Sequence, residues 1–250
     1  QLYRFFSLVG LLVVGLSGLV PGLAQRDAAQ AGSAKGPRPS AGGPACYLLD
    51  DPDVRARMSA AFELALLEAC GRFVPGPTLP AGRPLTGGIQ LAGDVRVNVV
   101  DPAASSTTQS ETSIDINRAT GTLCANWNDS YHYLVQGYSY IGYARSTDGG
   151  QTWQDGPANY LPQGGGGRAR GAPSVAWRAL DNIWYATSIH LGSSQGLGFW
   201  RSTDDCASFQ WVGMAHAGSA DDKELLAIDN NPASPHYGRM YIAWTDFASG

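Results

Sequence analysis

An eight-residue turn motif occurs twice in this 250-residue chain, and it constrains the fold more than any other feature. The first copy, STDGGQTW, begins at Ser146, and the second, STDDCASF, begins at Ser202, about 56 residues later. A turn that returns at the same place in successive units, with a period of about 50 residues, is typical of a repeat of small antiparallel sheets. A β-sandwich, the alternative architecture, would not explain this recurrence.

Short strand-like segments surround both turns and divide the chain into units. Residues 113–116 and 123–127 predict a hairpin, and residues 138–145 predict the third strand of the same unit. The pattern then returns in a second unit and begins a third. The predicted strands of those units are 174–177, 183–188, 198–201, 225–228 and 240–244. Units of four short strands are typical of β-propeller blades.

The first copy of the motif carries the residue types of a tight, internally bonded turn. Asp148 can accept hydrogen bonds from the amides that follow it. The next two residues are glycines, which permit positive φ, and Trp153 can pack beneath the hairpin. The second copy is degenerate, because Cys206 stands at the position of the second glycine and Phe209 at that of the tryptophan. We predict a structural role for the motif residues Ser146, Asp148, Gly150, Thr152, Trp153, Ser202 and Asp204.

Residues 146–153 match the Asp-box pattern S-x-D-x-G-x-T-W at every fixed position. Together with residues 108–130 and 222–247, they make the chain resemble the secreted, bacterial BNR-repeat, sialidase-like β-propeller family, over roughly residues 94–250. The resemblance implies an all-β propeller of the sialidase type, with six blades, or alternatively seven, of which this chain holds the N-terminal part. It also implies that each Asp box joins the third and fourth strands of a blade, on the face away from the active site.

That topology brings one group of polar residues to the opposite face, because the strands of a blade alternate in direction. The group precedes the first strands or follows the second strands, and it consists of Glu111, Asp129, Arg170, His190, Asp222, Lys223, Glu224 and Asp246. We take Glu224, Asp222 and Arg170 as the candidates for catalysis and the others as candidates for ligand binding.

The chemistry of this group suggests glycan recognition. Glycoside hydrolysis generally uses paired acidic groups, and sialidases also bind a substrate carboxylate through arginines, a role open here to Arg168 and Arg170. The family's arginine-isoleucine-proline motif is absent. The predicted function is a secreted exo-α-sialidase-type glycosidase acting on extracellular glycans. The alternative is a non-catalytic glycan- or protein-binding, or structural, propeller. No cofactor is required, but Glu111 and Glu224 have calcium binding or backbone capping as alternative roles.

Two other features near this group are predicted to be structural. The glycine run at residues 164–167 is followed by Arg168 but by no P-loop lysine and serine, so we expect a mobile loop and not a phosphate site. His190 is expected to be a solvent-facing loop residue and not a general base.

The N-terminal part of the chain predicts export. Residues 1–24 have the charge, apolar run and small residues of a signal peptide, and the run is short for a membrane anchor, the alternative, which needs about 20 residues. Residues 25–49 read as a flexible linker, and residues 50–90 as a helical pre-domain segment, with one helix over 51–70, and a Pro/Gly loop. Residues 91–250, with a strand at 95–99, belong to a propeller that is expected to continue beyond the last residue.

Cysteine content and net charge further restrict the cellular compartment and the class of partner that we expect. Because an exported chain can keep disulfides, Cys46 and Cys70, which flank the predicted helix, are expected to pair. Four unpaired thiols, with Cys124 buried, are the alternative. A net charge of -4 without a basic run argues against nucleic acid as a partner. The expected partner is an extracellular glycan or glycoprotein, with no membrane association after signal cleavage.

Overall fold

The structure, a computed structural model, is mostly β, as the sequence predicts. It describes residues 2–6 (backbone only), 45–73, 95–98, 108–131, 133, 139–155 and 159–248. Most of the predicted signal peptide, linker and Pro/Gly loop therefore lies outside the described residues. The strands are β1 (Leu2–Phe6), β2 (Gln109–Ile116), β3 (Leu123–Asp129), β4 (Ile141–Ser146), β5 (Gly167–Arg178), β6 (Ile183–Gly192), β7 (Gly196–Ser202), β8 (Gln210–Ala217), β9 (Asp221–Ile228) and β10 (Met240–Asp246).

The strands form three separate sheets, which follow the order of the chain except for β1. The sheets have the strand orders β2-β3-β4, β5-β6-β7-β8 and β9-β10-β1. All pairs are antiparallel except β1 and β10, which run parallel. Isolated bridges from Gln154 and Tyr160 to β4 extend the first sheet toward a fourth strand. The predicted hairpin therefore forms in each of the three units. Residues 95–98, which were predicted as part of a strand, are not in a strand.

The first strands of the three sheets lie side by side and run in the same direction. Ser113 on β2 accepts a hydrogen bond from the backbone N–H of Val175 on β5, at 3.1 Å. Ser174 on β5 in turn accepts one from the N–H of Leu226 on β9, at 3.0 Å. The two bonds are equivalent, because in each a serine of one first strand accepts a hydrogen bond from the backbone of the next first strand. The starts of β2, β5 and β9 are consequently at one edge of the assembly, which we call the upper edge.

Apolar layers fill the space between the sheets. Trp184 and Trp200 are fully buried between the first and second sheets, and Ile242 and Trp244 are buried between the second and third. Large aromatic rings of this kind bury about 150–250 Å² each, so they dominate the hydrophobic stabilisation. Strands β3 and β6 are buried along almost their whole length, whereas burial alternates along β9 and β10.

A helical segment packs on the upper edge. It comprises a short 3-10 helix (Cys46–Asp50), α1 (Pro52–Arg55) and α2 (Ala60–Ala69). The prediction of one helix over residues 51–70 is wrong, because Ser59 has extended backbone angles and caps a separate second helix. The 3-10 helix also occupies the end of the stretch predicted as a linker. Phe62 and Leu66 bury α2 against the sheets.

Two disulfides cross-link the described residues. The predicted pair Cys46 and Cys70 is bonded, which joins the 3-10 helix to the end of α2. Cys124 and Cys206 form the second disulfide and tie β3 of the first sheet to the second turn motif. Free thiols, the alternative interpretation, are absent from the described part of the chain.

Candidate functional site

Each turn motif is a self-contained hydrogen-bonded unit that follows the third strand of its sheet. In the first, Asp148 accepts bonds from the hydroxyl of Ser146 at 2.8 Å and from the N–H and hydroxyl of Thr152 at 2.9 and 2.6 Å. The Ser146 hydroxyl accepts from the N–H of Gly150. Trp153 donates to the Gly150 carbonyl. The bonds from Thr152 and Ser146 lower the pKa of Asp148 to about 2.

The degenerate second motif keeps the same bonds with different residues. Asp204 accepts from Ser202 at 2.7 Å and from the N–H and hydroxyl of Ser208 at 2.9 and 2.5 Å. The N–H of Cys206 takes the place of the glycine N–H. Cys206 itself has a φ of 67° and Asp205 one of 58°, values that normally favour glycine. The disulfide offers a reason for cysteine here, since it uses a side chain that glycine lacks.

Both motifs lie at the edge opposite the upper edge, because β4 and β7 end there. Glu224 stands near the start of β9 and Asp148 follows the end of β4, so the two carboxylates are at opposite ends of their strands. The predicted group of polar residues is therefore separated from the turn motifs, as the topology argument requires.

The three first strands share a backbone irregularity at the upper edge. Glu111, Ala172 and Lys223 have φ values of 51°, 48° and 56°. Each lies two residues before the part of its strand that follows the register shift, at the third residue of β2 and β9 and the sixth of the longer β5. The pairing register of each hairpin shifts at the same place. Non-glycine residues with such φ values are uncommon and cluster where surrounding contacts enforce them. One repeated bulge thus sets the orientation of the side chains at this edge.

Two of the predicted site residues hold the helical segment. Asp222 is buried and accepts bonds from the N–H and the hydroxyl of Ser59, both at 2.7 Å. Lys223 donates to the carbonyl of Arg57. Burial raises the pKa of Asp222, and the bonds from Ser59 and Lys223 oppose that rise. Asp222 and Lys223 therefore dock α2 onto β9.

Glu224 is the most unusual titratable group in the described part of the chain. Its side chain is 5% exposed, and neither carboxylate oxygen has a hydrogen-bond partner on any other described residue. Burial raises the pKa of Glu224 well above its ordinary value, and the charges of Asp222, Asp221 and Glu111 raise it further. The group is consequently favoured as a neutral carboxylic acid.

The other predicted ligand-binding residues stabilise the upper edge in different ways. Glu111 accepts from the side chain of Asn128 at 2.7 Å and from the N–H of Ala172 at 3.2 Å, which links the first two sheets. Asp129 is buried and accepts from the hydroxyl of Tyr160 at 3.1 Å. Asp246 accepts from the N–H of Ala248 at 2.8 Å.

His190 lies within β6 and is fully buried, in contrast to the exposed loop position expected. Its ring nitrogens contact the carbonyl oxygens of Ser194 at 3.0 Å and Gly164 at 2.8 Å. The ring also packs on Trp211, with centroids 4.7 Å apart. His190 thus contacts the glycine run through the carbonyl oxygen of Gly164.

The glycine run is a tight, packed turn and not the loop expected from its composition. Gly164 and Gly167 exchange backbone hydrogen bonds at 3.0 and 3.1 Å, and the two residues between them have positive φ. A Cβ on Gly164 would lie 2.1 Å from the ring of Trp211. Absence of side chains is therefore a steric requirement at this position.

A cleft of about 550 Å³ opens between α2 and the start of β5. Glu68 of α2 forms one wall, and the turn at residues 164–167 forms another. Arg168 and Arg170 contribute guanidinium groups. The polar residues that line the cleft are Glu68, Gln163, Arg168, Arg170 and Gln195.

Arg170 is held in the cleft by an ion pair and by a stacked aromatic ring. Its Nη1 lies 3.1 Å from a carboxylate oxygen of Glu68, and its guanidinium stacks over the ring of Tyr133 at 4.3 Å from the centroid. Its Nε atom is buried without a hydrogen-bond partner in the described residues. Burial lowers the pKa of Arg170, and the charge of Glu68 opposes that shift. The stacked ring and ion pair hold the guanidinium plane in one orientation.

Sequence reasoning located Arg168 and Arg170 but missed the residues opposite them. Glu68 and Ser59 lie in a segment that shows only helical periodicity, and Gln163 and Gln195 lie in short connections. No local sequence signal marks the contact of Glu68 with Arg170 or that of Ser59 with Asp222, and each joins residues more than a hundred positions apart. Ser59, followed by a helical run, was recognisable as a helix cap but not as a partner of Asp222.

Metal-binding clusters and membrane-spanning helices are two further features that the described ranges could contain. No group of three or more His, Cys, Asp or Glu side chains there has an arrangement that could hold a metal ion. Among the helices in those ranges, none has the length and apolar character to cross a bilayer.

Comparison with known proteins adds no assignment: the chain matches no protein-family model, and a search of curated proteins found no match.

Proposed function

We propose that this chain forms blades of a secreted, sialidase-like β-propeller that binds an acidic extracellular glycan or glycoprotein in the cleft beside α2. The observation that carries the functional part is the pair of arginines in that cleft, Arg168 and Arg170. Guanidinium groups bind carboxylates through paired, charge-assisted hydrogen bonds, and this favours a sugar acid such as a sialic acid over a neutral sugar.

The propeller assignment is supported by the repeated relationship between sheets. Ser113 and Ser174 make equivalent bonds to the next first strand, and each Asp box follows a third strand. Such a repeat from sheet to sheet is expected of neighbouring blades in a propeller. A ring of six blades, as the resemblance implies, remains part of the proposal.

Recognition without hydrolysis is the better-supported form of the proposal. Asp222 and Lys223, two of the predicted site residues, are engaged with the helical segment. Asp129 and Glu111 are engaged in contacts within or between sheets. Arginine and glutamine side chains line the cleft, together with Glu68 on Arg170, and guanidinium and amide groups suit binding of an acidic ligand.

An exo-α-sialidase-type glycosidase is the second candidate, and one observation favours it. Glu224 has the raised pKa expected of a carboxylic acid that donates a proton to a leaving group. The same residue is buried, so hydrolysis would require the residues around it to move and admit the substrate.

The test is binding of the secreted protein to sialyllactose and to lactose, measured by calorimetry. We expect binding of the sialylated sugar alone, and an Arg168→Gln variant should weaken it by about ten- to hundredfold, the worth of a charge-assisted pair. Arg201→Gln, an exposed arginine on β7 away from the cleft, is the matched control. Equal affinity for both sugars, or no effect of Arg168→Gln, would contradict the proposal.

Hydrolysis of a fluorogenic sialoside by the same protein separates the two candidates. Turnover that is lost in Glu224→Gln, with the fold intact, would make the protein a glycosidase. Binding without turnover would leave recognition as the function.

A further inference from the structure

Glu68 and Arg170 form an ion pair inside the proposed ligand cleft. The carboxylate oxygen and Nη1 are 3.1 Å apart, and the side chains are 23% and 15% exposed. Both residues line the cleft. The protein thus already places a carboxylate of its own on the arginine that is proposed to bind a ligand carboxylate.

This internal carboxylate leaves the arginine incompletely bonded. A guanidinium can offer two parallel N–H groups to one carboxylate, and Glu68 approaches Arg170 through Nη1 at 3.1 Å. Nε has no acceptor among the described residues. A carboxylate that bonded two nitrogens of Arg170 would therefore satisfy the guanidinium better than Glu68 does.

We propose that Glu68 is an internal competitor that occupies Arg170 while the cleft is empty and is displaced by the carboxylate of the ligand. The inference rests on the proposed function and deepens it, because it names a residue that sets affinity and selectivity. Neutral sugars cannot displace Glu68, since they bring no charge to replace it. A sugar acid can exchange for it without leaving an unpaired guanidinium.

Displacement requires only a side-chain rotation, because α2 is held elsewhere. The bonds from Ser59 to Asp222 fix its first turn, and Phe62 buries it against Phe247, with ring centroids 6.1 Å apart. The disulfide at Cys70 fixes its end. Glu68 is partly exposed and near the last turn, so it can move into solvent while the helix stays docked.

The first experiment measures sialyllactose binding to the wild-type protein, Glu68→Gln and Glu63→Gln. Glu63 lies on the same helix and pairs with Arg55 outside the cleft, so it controls for the loss of a helix carboxylate. Glu68→Gln should lower Kd by about three- to tenfold, as removal of a partly exposed ion pair implies. Glu63→Gln should leave Kd unchanged. An unchanged or raised Kd in Glu68→Gln would overturn the proposal.

The second experiment does not depend on sugar binding. Phenylglyoxal modifies accessible arginine side chains, and the rate at Arg170 can be followed by peptide mass spectrometry with Arg201 as the internal reference. Glu68→Gln should accelerate modification of Arg170 severalfold, whereas Glu63→Gln should not. An unaccelerated Arg170 would overturn the competitor role. Acceleration in a protein that binds no sialyllactose would instead reject the proposed function and retain the competing contact.

Discussion

Asp222 at the start of β9 accepts two hydrogen bonds from Ser59, its partner across 163 positions of sequence, both at 2.7 Å. One comes from the backbone and one from the hydroxyl that also caps α2. A single carboxylate therefore fixes the position of the helical segment relative to the sheets. Since α2 forms a wall of the cleft, this bond also sets the shape of the candidate site.

The first prediction concerns this docking contact. Asp222→Ala removes both bonds and should cost about 2–3 kcal/mol of local stability, because bonds to a buried carboxylate are among the stronger ones. Amide hydrogen exchange in α2 should accelerate by about thirty- to hundredfold. Asp51→Ala, which removes the exposed cap of α1, is the control and should leave α2 protected. Wild-type protection of α2 in Asp222→Ala would show that the apolar contacts alone hold the helix.

The second prediction concerns pH. The raised pKa of Glu224 means that the folded protein keeps a proton at pH values where the unfolded chain has lost it. Its contribution to stability is therefore complete below the ordinary pKa of 4.5 and is lost as pH rises through the folded-state pKa. Glu224→Gln should flatten the fall in Tm between acidic and neutral pH. An unchanged slope would mean that the carboxyl is not buried in the protonated form.

The third prediction compares the two disulfides. The bridge Cys124–Cys206 spans 82 residues and the bridge Cys46–Cys70 spans 24. Loss of the longer bridge, by serine at both positions, should cost about 4 kcal/mol, and loss of the shorter one about 3 kcal/mol, because the larger loop restricts the unfolded chain more. Chemical denaturation of both double variants measures the difference. A larger loss for the shorter bridge would place its effect in the native state.

The fourth prediction concerns the packed glycine turn. Gly164→Ala would bring a methyl group to 2.1 Å from Trp211, so it should lower Tm and disturb the wall of the cleft. Gly149→Ala is the comparison, because its Cβ would have open space and only its φ of 74° is unfavourable. We expect the Gly164 variant to lose more stability and also to lose sialyllactose affinity. Similar Tm values for the two variants would show that Trp211 yields to the added methyl.

Local patterns in the sequence were sufficient for the hairpins but not for β1 and β8, which were not predicted as strands. Strand alternation and the two turn motifs predicted the pairing of residues 113–116 with 123–127, and the all-β class is confirmed. These features depend on neighbours within about twenty residues. The hydrogen bonds of Asp148 and Asp204 also lie within their own turns, so the spacing of the motif was enough to anticipate them.

Contacts between distant segments were not predictable. The bonds between Ser59 and Asp222, the ion pair of Glu68 with Arg170 and the bridge from Cys124 to Cys206 join positions that share no periodicity. Each arises only when the sheets bring separate parts of the chain together. His190 was misplaced for a related reason, because its burial depends on Trp211 of a different strand.

The shared bulge at Glu111, Ala172 and Lys223 has a consequence for how such repeats diversify. The left-handed backbone is retained in all three strands, while the side chain it presents is acidic, apolar or basic. The backbone conformation at this position is therefore independent of the side chain that it carries. The main chain fixes where the side chain begins, and residues of different charge occupy that place with the same backbone angles. One edge of the assembly can thus evolve new ligand preferences one repeat at a time.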